Sequence, residues 1–207
     1  MRLVLVEPEY DMNVGAVCRV MKNFGFSELY LVRPACPMGF NARMFAKHAT
    51  DILERARIVG TIDEALEGFV IATSGIRRRN SILLKDFAPP KSPYTLIFGR
   101  EGEGLHSDEL AKADALVHIE TSPAYPSLNV VNAVAITLFH ISSFPPAPKH
   151  QLYEKKLSAL VSLAEELGGK ELSKAMRSII VRSSPTEKEL NAMLRFFSSS
   201  KHKRLTQ

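Results

Sequence analysis

Short apolar runs alternate with polar or helical segments from the first residues to residue 119. The runs are rich in Val, Ile and Leu, and most of them lack the alternation of a half-exposed strand, which predicts strands buried on both faces. The six predicted strands are RLVLV (2–6), LYLV (29–32), RIV (57–59), FVIA (69–72), TLIF (95–98) and LVHI (116–119). Three segments between them carry helix signals, namely residues 14–24 behind an Asn cap, a capping box at Thr61–Glu64, and residues 108–113 behind Ser107. This alternation predicts an α/β domain with a mostly parallel sheet.

The pattern changes at the proline-rich stretch Phe144-Pro145-Pro146-Ala147-Pro148, which predicts a stiff linker. Beyond it the periodicity is helical only. The predicted helices are residues 151–167 ending at Gly168-Gly169, residues 170–182, and a last helix that opens at Ser184-Pro185-Thr186-Glu187 and runs to about Phe197, before a frayed end. The sequence therefore predicts an α/β domain over residues 1–147 and an all-helical extension over residues 148–207.

Charge is divided unevenly between these two parts. Residues 1–147 carry 15 Lys and Arg against 16 Asp and Glu, whereas residues 148–207 carry 12 against 6. A basic extension on a neutral domain indicates an anionic partner, nucleic acid being the commonest, although a solvated lysine-rich helical face explains the charge alone about as well.

Other features of the sequence indicate a reduced, aqueous compartment. The longest nearly apolar run, Val130 to Ile141, is too short to span a bilayer, and no leader sequence precedes the first strand. The two cysteines, Cys18 and Cys36, fit a reduced compartment better than a disulfide framework. We therefore expect a cytoplasmic protein without membrane association.

Polar and glycine residues cluster in four segments that follow predicted strands or precede a helix. Ligands of parallel α/β sheets bind outside the carboxyl ends of the strands, so these segments are candidates for one site. They are EPEYDMNVGAVCR (7–19), ATSGIRRRN (72–80), IFGREGEGL (97–105) and PSLNVVNAVAI (126–136).

Each segment, taken alone, also has a structural explanation. Asn13 could cap a helix in which Gly15 is a packing glycine and Arg19 a surface residue, and Arg77–Arg79 could be a solvated turn rather than a phosphate contact. Ser127 could be a simple helix cap. Glu101, among glycines directly after a strand, would need to be a helix-capping carboxylate.

Several kinds of site are excluded by spacing. The glycines of residues 99–104 lack the order of a dinucleotide fingerprint and the Lys-Ser/Thr ending of a phosphate loop. The six histidines and two cysteines have no metal-ligand spacing, so we expect no metal, and His118 and His140 lie in apolar segments typical of core residues.

The order of the segments resembles the three motifs of a known family. Asn13-Val-Gly-Ala-Val-Cys-Arg19 with Asn23-Phe-Gly25, then Phe98-Gly-Arg-Glu101-Gly-Glu-Gly104-Leu, then Ser127-Leu-Asn129 with Ala133, resemble the motifs of SpoU-like RNA ribose 2′-O-methyltransferases of the SPOUT superfamily. Within it the chain looks like the TrmJ branch, which modifies position 32 of the tRNA anticodon loop. The resemblance covers residues 1–145.

The resemblance implies a fold and partners that periodicity does not predict. It implies a C-terminal trefoil knot in the α/β domain, S-adenosylmethionine as methyl donor with S-adenosylhomocysteine as product, and a homodimer whose active sites are shared across the interface. It also implies tRNA as substrate, with cytidine or uridine as the target nucleoside.

By position in the motifs, the resemblance also implies roles for individual residues. The implied catalytic group is Asn13, Arg19, Glu101, Ser127 and Asn129. The implied cofactor-binding residues are Thr73, Ser74, Gly75, Gly99, Gly104, Ile119, Ser127, Leu128 and Asn129. Arg77, Arg78 and Arg79 would grip the tRNA backbone.

Two roles are open for Arg19 and two other functions remain alternatives. Arg19 could take the 2′-OH proton, but a guanidinium that stays charged and stabilises the forming alkoxide is physically easier, and Glu101 would then orient Arg19 or Asn13. The alternative functions are methylation of ribosomal RNA ribose by the same fold, and a non-catalytic RNA-binding module.

Overall fold

The six predicted apolar runs all form strands in the computed structural model, which describes residues 1–144, 151–183, 185 and 187–205. A seventh strand is added by two half-buried residues, Ile82 and Leu83, in an apolar run that is too short to predict a strand. The strands are β1 (Arg2–Val6), β2 (Leu29–Val32), β3 (Arg57–Val59), β4 (Phe69–Ser74), β5 (Ile82–Leu83), β6 (Tyr94–Phe98) and β7 (Ala115–His118).

They pair in the order β3-β2-β1-β6-β4-β7-β5, and every strand pair in the described part of the chain is parallel. The predicted mostly parallel α/β sheet is confirmed. Because all the strands point the same way, the loops after β1, β6, β4 and β7 meet at one edge of the sheet, where ligands of such sheets bind.

The helices of the first part are α1 (Asp11–Asn23), α2 (Phe40–Ala46), α3 (Thr50–Arg55), α4 (Ile62–Ala65), α5 (Ser107–Leu110) and α6 (Val130–Ser142). Two predicted caps are wrong. The first helix begins at Asp11, and Asn13 lies inside it, with its backbone amide donating to the Tyr10 carbonyl at 3.0 Å. His106, not Ser107, precedes α5, where the Glu109 carboxylate accepts the His106 backbone amide, and this helix ends at Leu110.

The core of the domain lies on both sides of the central strands. On one side, Val4 and Val6 pack with Ile97, with Ile62 of α4 and with Leu105 beside α5. The packing role expected for Gly15 is confirmed, since a Cβ there would overlap the backbone oxygen of Ala42 in α2. A close α1–α2 approach thus holds the loop after β1 in place.

Two compact units emerge from the contacts within the chain, one of Met1–Ala88 with Pro93–Pro145, the other of Pro89–Ser92 with Pro146–Gln207. The second contains α7 (Gln151–Ser183) and α8 (Glu187–Leu205). The predicted interruption at Gly168-Gly169 is confirmed by the backbone of Gly169, which leaves the helix at φ 76°. The expectation that the last helix ends near Phe197 is wrong, since α8 continues to Leu205. The predicted linker beyond Phe144, and residues 184 and 186 of the predicted cap, lie outside the described residues.

Helices long and apolar enough to cross a membrane are absent from the residues that the structure describes.

Candidate active site

A cavity of about 570 Å³ opens at the carboxyl ends of the three adjacent strands β6, β4 and β7. The lining comes from the loops that follow these strands and from the first turns of α6. It consists of residues 73–78, 98–105, 110, 118, 119, 121, 126–128, 130 and 133. Loops separated by up to about 60 residues in the sequence therefore converge on one site.

Most of the residues expected to bind a cofactor lie around this cavity. The ones that line it are Thr73, Ser74, Gly75, Gly99, Gly104, Ile119, Ser127 and Leu128. Asn129 is not among the lining residues. It precedes α6 as its N-cap, and its Oδ1 accepts the Val131 amide at 2.8 Å. The helix cap is therefore Asn129, and the alternative that Ser127 caps α6 is wrong.

The glycine-rich loop after β6 has a shape that only glycine permits at residue 99. Arg100 and Gly104 exchange backbone hydrogen bonds of 3.2 and 3.0 Å, which fold the loop back on itself. A Cβ on Gly99 would come closer than 3.0 Å to backbone atoms of Gly104 and Leu105. Gly104 itself has φ 71°, a region that side chains disfavour. The loop therefore presents backbone, not side chains, to the cavity at this point.

Glu101 joins the glycine-rich loop to the segment after β1. Its Oε1 accepts the Nδ2–H of Asn13 at 2.8 Å, and its Oε2 accepts the backbone amide of Glu9 at 3.0 Å. Glu9 returns the contact, since its Oε1 accepts the Gly102 amide at 3.3 Å. The structural alternative of a helix-capping Glu101 is wrong. Both carboxylate oxygens of Glu101 are engaged in holding Asn13 and the β1 loop against the cavity wall.

The hydroxyls of the β4 loop are engaged by backbone groups. Thr73 donates to the Ile97 carbonyl at 3.0 Å, and Ser74 donates to the Ile76 carbonyl at 2.7 Å. Nδ1 of His118, a buried residue as expected, lies 2.9 Å from the Ser74 carbonyl and fixes that strand end from β7. These residues shape the wall of the cavity.

The expected arginines fall into two groups. Arg77 and Arg78 line the cavity mouth, whereas Arg79 does not. Arg19 lies six residues beyond Asn13 on α1, about 9 Å along the helix axis. It is exposed and does not line the cavity of its own chain. The structure therefore brings Asn13, Glu101 and Ser127 to one site and leaves Arg19 outside it within a single chain.

A buried charge cluster beneath the glycine-rich loop was not predicted from the sequence. The Arg100 guanidinium donates to Glu7 Oε2 at 2.7 Å and, bidentately, to both oxygens of Glu109 at 3.0 Å. Arg100 and Glu109 are 9% and 4% exposed. Charged residues so deep need partners, but the partners lie 93 and 9 residues from Arg100, so the sequence gives no signal for the cluster.

The cluster changes the acidity of its carboxyl groups. The hydrogen bond from Arg100, assisted by one from Arg33, lowers the pKa of Glu7 from 4.5 to about 2, against an opposing effect of burial. Burial favours the neutral form of Glu109, but hydrogen bonds from Arg100 and the His106 amide outweigh it and lower the pKa of Glu109. Arg100 thus keeps Glu7 ionised well into the acidic range and shifts the pKa of Glu109 in the same direction.

This lowered pKa predicts acid-dependent stability. The Glu7 contribution is fully present above pH 4.5 and is lost as the pH falls from 4.5 to about 2, since the unfolded chain then binds the proton first. At pH 7 we expect Glu7→Gln to lower the free energy of unfolding by about 1–2 kcal/mol, a value kept modest because Glu7 is partly solvated. The difference from wild type is expected to shrink toward pH 3. Urea unfolding at pH 7, 4 and 3 measures it.

Glu54→Gln is the matched control, because Glu54 also pairs with an arginine, Arg43, but at the exposed surface. It is expected to change the unfolding free energy by less than about 1 kcal/mol at pH 7. A constant Glu7→Gln difference from pH 7 to pH 3 would contradict the linkage.

Within the described part of the chain, no group of three or more His, Cys, Asp or Glu side chains is arranged to hold a metal ion.

The first unit is similar in sequence to known proteins. Residues 1–139 match the family described as the SpoU rRNA Methylase family. The tRNA (cytidine-2′-O-)-methyltransferase TrmJ of Methanocaldococcus jannaschii is 42% identical over 151 residues, which are 67% of this chain and 66% of that protein. The tRNA (cytidine/uridine-2′-O-)-methyltransferase TrmJ of Pectobacterium atrosepticum is 37% identical over 154 residues, 68% of this chain and 63% of that protein. The match thus spans slightly less than two thirds of these relatives.

Solved structures extend the likeness. TrmJ from Z. mobilis superposes with a TM-score of 0.64 and 25% identity, over 97% of this chain and 98% of that one. A structure described as giving insights into the 2-OH methylation of C/U34 on tRNA superposes with a TM-score of 0.54 and 28% identity, over 67% and 91%. The fold is also shared at 18% identity with the SpoU methyltransferase AviRb of Streptomyces viridochromogenes in complex with AdoMet, with a TM-score of 0.58.

Proposed function

This chain belongs to the SpoU methylase family and resembles its TrmJ branch, and from that premise we propose that it is an S-adenosylmethionine-dependent tRNA ribose 2′-O-methyltransferase. The observation that carries the proposal is the bridge from Glu101 to Asn13 at the wall of the cavity. It joins two of the three family motifs, and Ser127 and Leu128 of the third motif line the same cavity. The relatives named TrmJ support tRNA as the substrate.

The residues around the cavity fit the proposed methyl donor. Apolar side chains such as Phe98, Leu105 and Val130 suit an adenine ring, and the glycine-rich loop lets a ligand approach backbone groups. The carboxylates of Glu101 and Glu103 on the same wall suit a cationic sulfonium. When bound, S-adenosylmethionine would supply an activated methyl group to the ribose oxygen and leave as S-adenosylhomocysteine, while the 2′-OH proton would pass to water.

The chain's own residues would position the ribose and stabilise charge. Glu101, with both oxygens occupied by Asn13 and Glu9, serves to orient Asn13 and is not free to act as a base. Arg19 would hold the substrate phosphate and stabilise the negative charge that develops on the 2′-oxygen, since a guanidinium stays protonated. Ser127, and Asn129 through its amide nitrogen, would complete the polar rim.

The proposed assembly is a homodimer with shared sites. Arg19 lies outside the cavity of its own chain, so a partner subunit would have to supply it. The α1–α6 surface offers apolar side chains for such a contact, with Phe139 68% exposed and its ring edge-on to Phe24 at 6.4 Å between centroids. The family resemblance further supports a C-terminal trefoil knot in the α/β domain and, with tRNA as substrate, a cytoplasmic location.

The proposed target is position 32 of the anticodon loop, with cytidine, uridine or both as the methylated nucleoside. Mapping of 2′-O-methyl groups on bulk tRNA and ribosomal RNA, with and without the purified protein, tests it. A new methyl group at tRNA position 32 is the expected result, and one in ribosomal RNA only would favour the alternative within the same family. Calorimetric titration with S-adenosylhomocysteine separates both from a non-catalytic RNA-binding module, which would bind RNA but not this nucleoside.

Electrostatic contacts to the RNA backbone would supply much of the affinity. We propose that Arg77–Arg79 and the basic extension of residues 148–207 make them. In gel-shift titrations from about 50 to 200 mM salt, the affinity for tRNA is expected to fall steeply. Arg78→Ala is expected to reduce, by about 0.7, the slope of the logarithm of the binding constant against the logarithm of the salt concentration. Arg43→Ala, which removes an exposed arginine far from the cavity-lining segments in sequence, is the control and should leave the slope unchanged. A flat salt response of the wild type would contradict this proposal.

A further inference from the structure

We propose that Arg100 is a positioning residue of the active site, which fixes the bridge between Glu101 and Asn13 through its contacts with Glu7 and Glu109. The inference deepens the proposed function and rests on it for the effect on turnover. Arg100 is not assigned a contact with substrate or donor. Its role is to set where the two loops that carry Glu101 and Asn13 meet.

The contacts of Arg100 span three separate segments. Nε donates to Glu7 in the loop after β1, while Nη1 and Nη2 donate to both oxygens of Glu109 in α5. Nη1 also donates to the Gly104 carbonyl at 3.2 Å, in the glycine-rich loop itself. One planar guanidinium therefore ties the glycine-rich loop to the β1 loop and to α5, and its fixed fork makes the geometry specific.

Glu7 is held in an unusual backbone conformation. Its φ is 46°, in the left-handed region that residues other than glycine rarely adopt. The ion pair with Arg33 and the hydrogen bond from the Glu7 amide to the Val32 carbonyl at 2.8 Å hold it there. Such strain persists only where the surroundings fix it, and it is commonly found next to functional sites.

The Arg100–Glu7 pair and the Glu101–Glu9 contact form a closed ring. Glu7 and Glu9 are two residues apart in one loop, and Arg100 and Glu101 are adjacent in the other. The Arg100 side chain donates to Glu7, and the Glu9 amide donates to Glu101 at 3.0 Å. A ring with two cross-connections fixes both the separation and the rotation of the loops, which one contact alone would not do. This ring therefore also fixes the position of Asn13, which donates a hydrogen bond to the same Glu101.

Arg100→Lys tests the inference, because lysine keeps the charge and loses the fork. Hydrogen exchange of the backbone amides is the first readout, and it needs no substrate. Exchange in residues 7–13 and 99–105 is expected to quicken by about tenfold or more as the two loops separate. Unchanged exchange in both segments would overturn the proposal.

Arg2→Lys is the matched control. Arg2 also bridges two carboxylates, of Glu28 and Glu67, and also donates to a carbonyl, that of Ala65, with a side chain 12% exposed. It lies at the start of β1, at the other end of the strand from Glu7. Arg2→Lys should leave the hydrogen exchange of the backbone amides in residues 7–13 and 99–105 unchanged. Equal acceleration by both variants would show a general loss of stability and would also overturn the proposal.

Turnover gives the second readout. With saturating donor, Arg100→Lys is expected to lower the rate of methyl transfer by roughly 10- to 100-fold, as expected for a displaced catalytic group. In a Glu101→Ala background, Arg100→Lys should cause no further loss in the rate of methyl transfer, because the bridge through which Arg100 acts is already lost. Additive losses in the double variant would overturn the proposal.

Two outcomes need to be told apart from failure of the inference. If Arg100→Lys does not fold, Glu109→Gln, which weakens the bidentate pair but keeps the shape, should give the same acceleration of exchange. If the wild type methylates no RNA, the proposed function fails, while the exchange experiment still decides whether Arg100 positions the loops.

Discussion

Replacement of Arg19 by alanine is expected to lower methyl transfer by about a thousandfold or more while leaving the affinity for S-adenosylhomocysteine unchanged. The loss follows from removing a charge that would stabilise the forming alkoxide, an effect that can reach this size in a water-excluded site. Donor binding should survive because the role proposed for Arg19 is to hold the substrate phosphate and the 2′-oxygen, and not the donor. Single-turnover methylation of tRNA with saturating donor measures the first effect, and calorimetry measures the second.

Two further variants sharpen the result. Arg19→Lys retains a point charge without the planar fork, so partial activity would indicate an electrostatic role and complete loss would indicate bidentate contact. Arg55→Ala removes another exposed arginine, one paired with Asp51 on α3, and should methylate like the wild type. If Arg19→Ala retained methylation, both proposed roles of Arg19 would be refuted.

Most of the sheet could be predicted because strands such as β2, β6 and β7 are buried on both faces. Runs such as Leu3–Val6 and Leu29–Val32 are almost continuously apolar, and they lack the alternation of apolar and polar residues that a half-exposed strand would show. β5 was missed because Ile82–Leu83 is short and half-buried. The limit is one of length as well as burial, since β3 was predicted from three residues, two of them exposed, whereas the two-residue β5 was not.

Features that depend on distant partners were not predicted. Asn13 looked like a helix cap because asparagine often is one, but the helix begins two residues earlier and the Asn13 side chain donates to Glu101, 88 residues away. The Arg100 cluster was not predicted for the same reason: its contacts join distant segments, and in the sequence its members resemble ordinary surface charges. Only the fold brings Glu7 to Arg100 across 93 residues.

The candidate site was predicted by the order of its motifs and not by any one of them. Glu101 had a capping alternative when taken alone, and the structure replaces it with the contact to Asn13. The motif order did not specify where Arg19 would lie. The sequence placed Arg19 on the first helix, but only the structure shows that it does not line the cavity of its own chain.

Gly99→Ala is expected to abolish donor binding, and with it turnover. The new Cβ would come closer than 3.0 Å to backbone atoms of Gly104 and Leu105, which cannot turn aside as a side chain can. The loop would have to open, breaking the backbone pair between Arg100 and Gly104 that shapes the cavity wall. We expect affinity for S-adenosylhomocysteine to fall by at least about 100-fold, with overpacking lowering the unfolding free energy by about 1–3 kcal/mol.

Gly102→Ala, three residues along the same loop, is the control for this variant. A Cβ there would meet only Glu9 Oε1 at 3.5 Å, an ordinary contact, so donor binding should be retained. Normal donor affinity in Gly99→Ala would show that the cavity does not hold the donor, whatever the activity of the wild type.

Mixed dimers of the Gly99→Ala and Arg19→Ala chains then test whether Arg19 acts on its own chain or on the partner. If Arg19 serves the partner's cavity, one site of the mixed dimer pairs the intact cavity of the Arg19→Ala chain with the Arg19 of the Gly99→Ala chain. Two differently tagged chains, co-expressed and purified together, should then regain about half the wild-type turnover per dimer, since one site of two is complete. If Arg19 served its own chain, neither site would be complete and the mixed dimer would be as inactive as either parent. A lack of recovery would therefore contradict the shared site while leaving the donor cavity, tested by Gly99→Ala alone, in place.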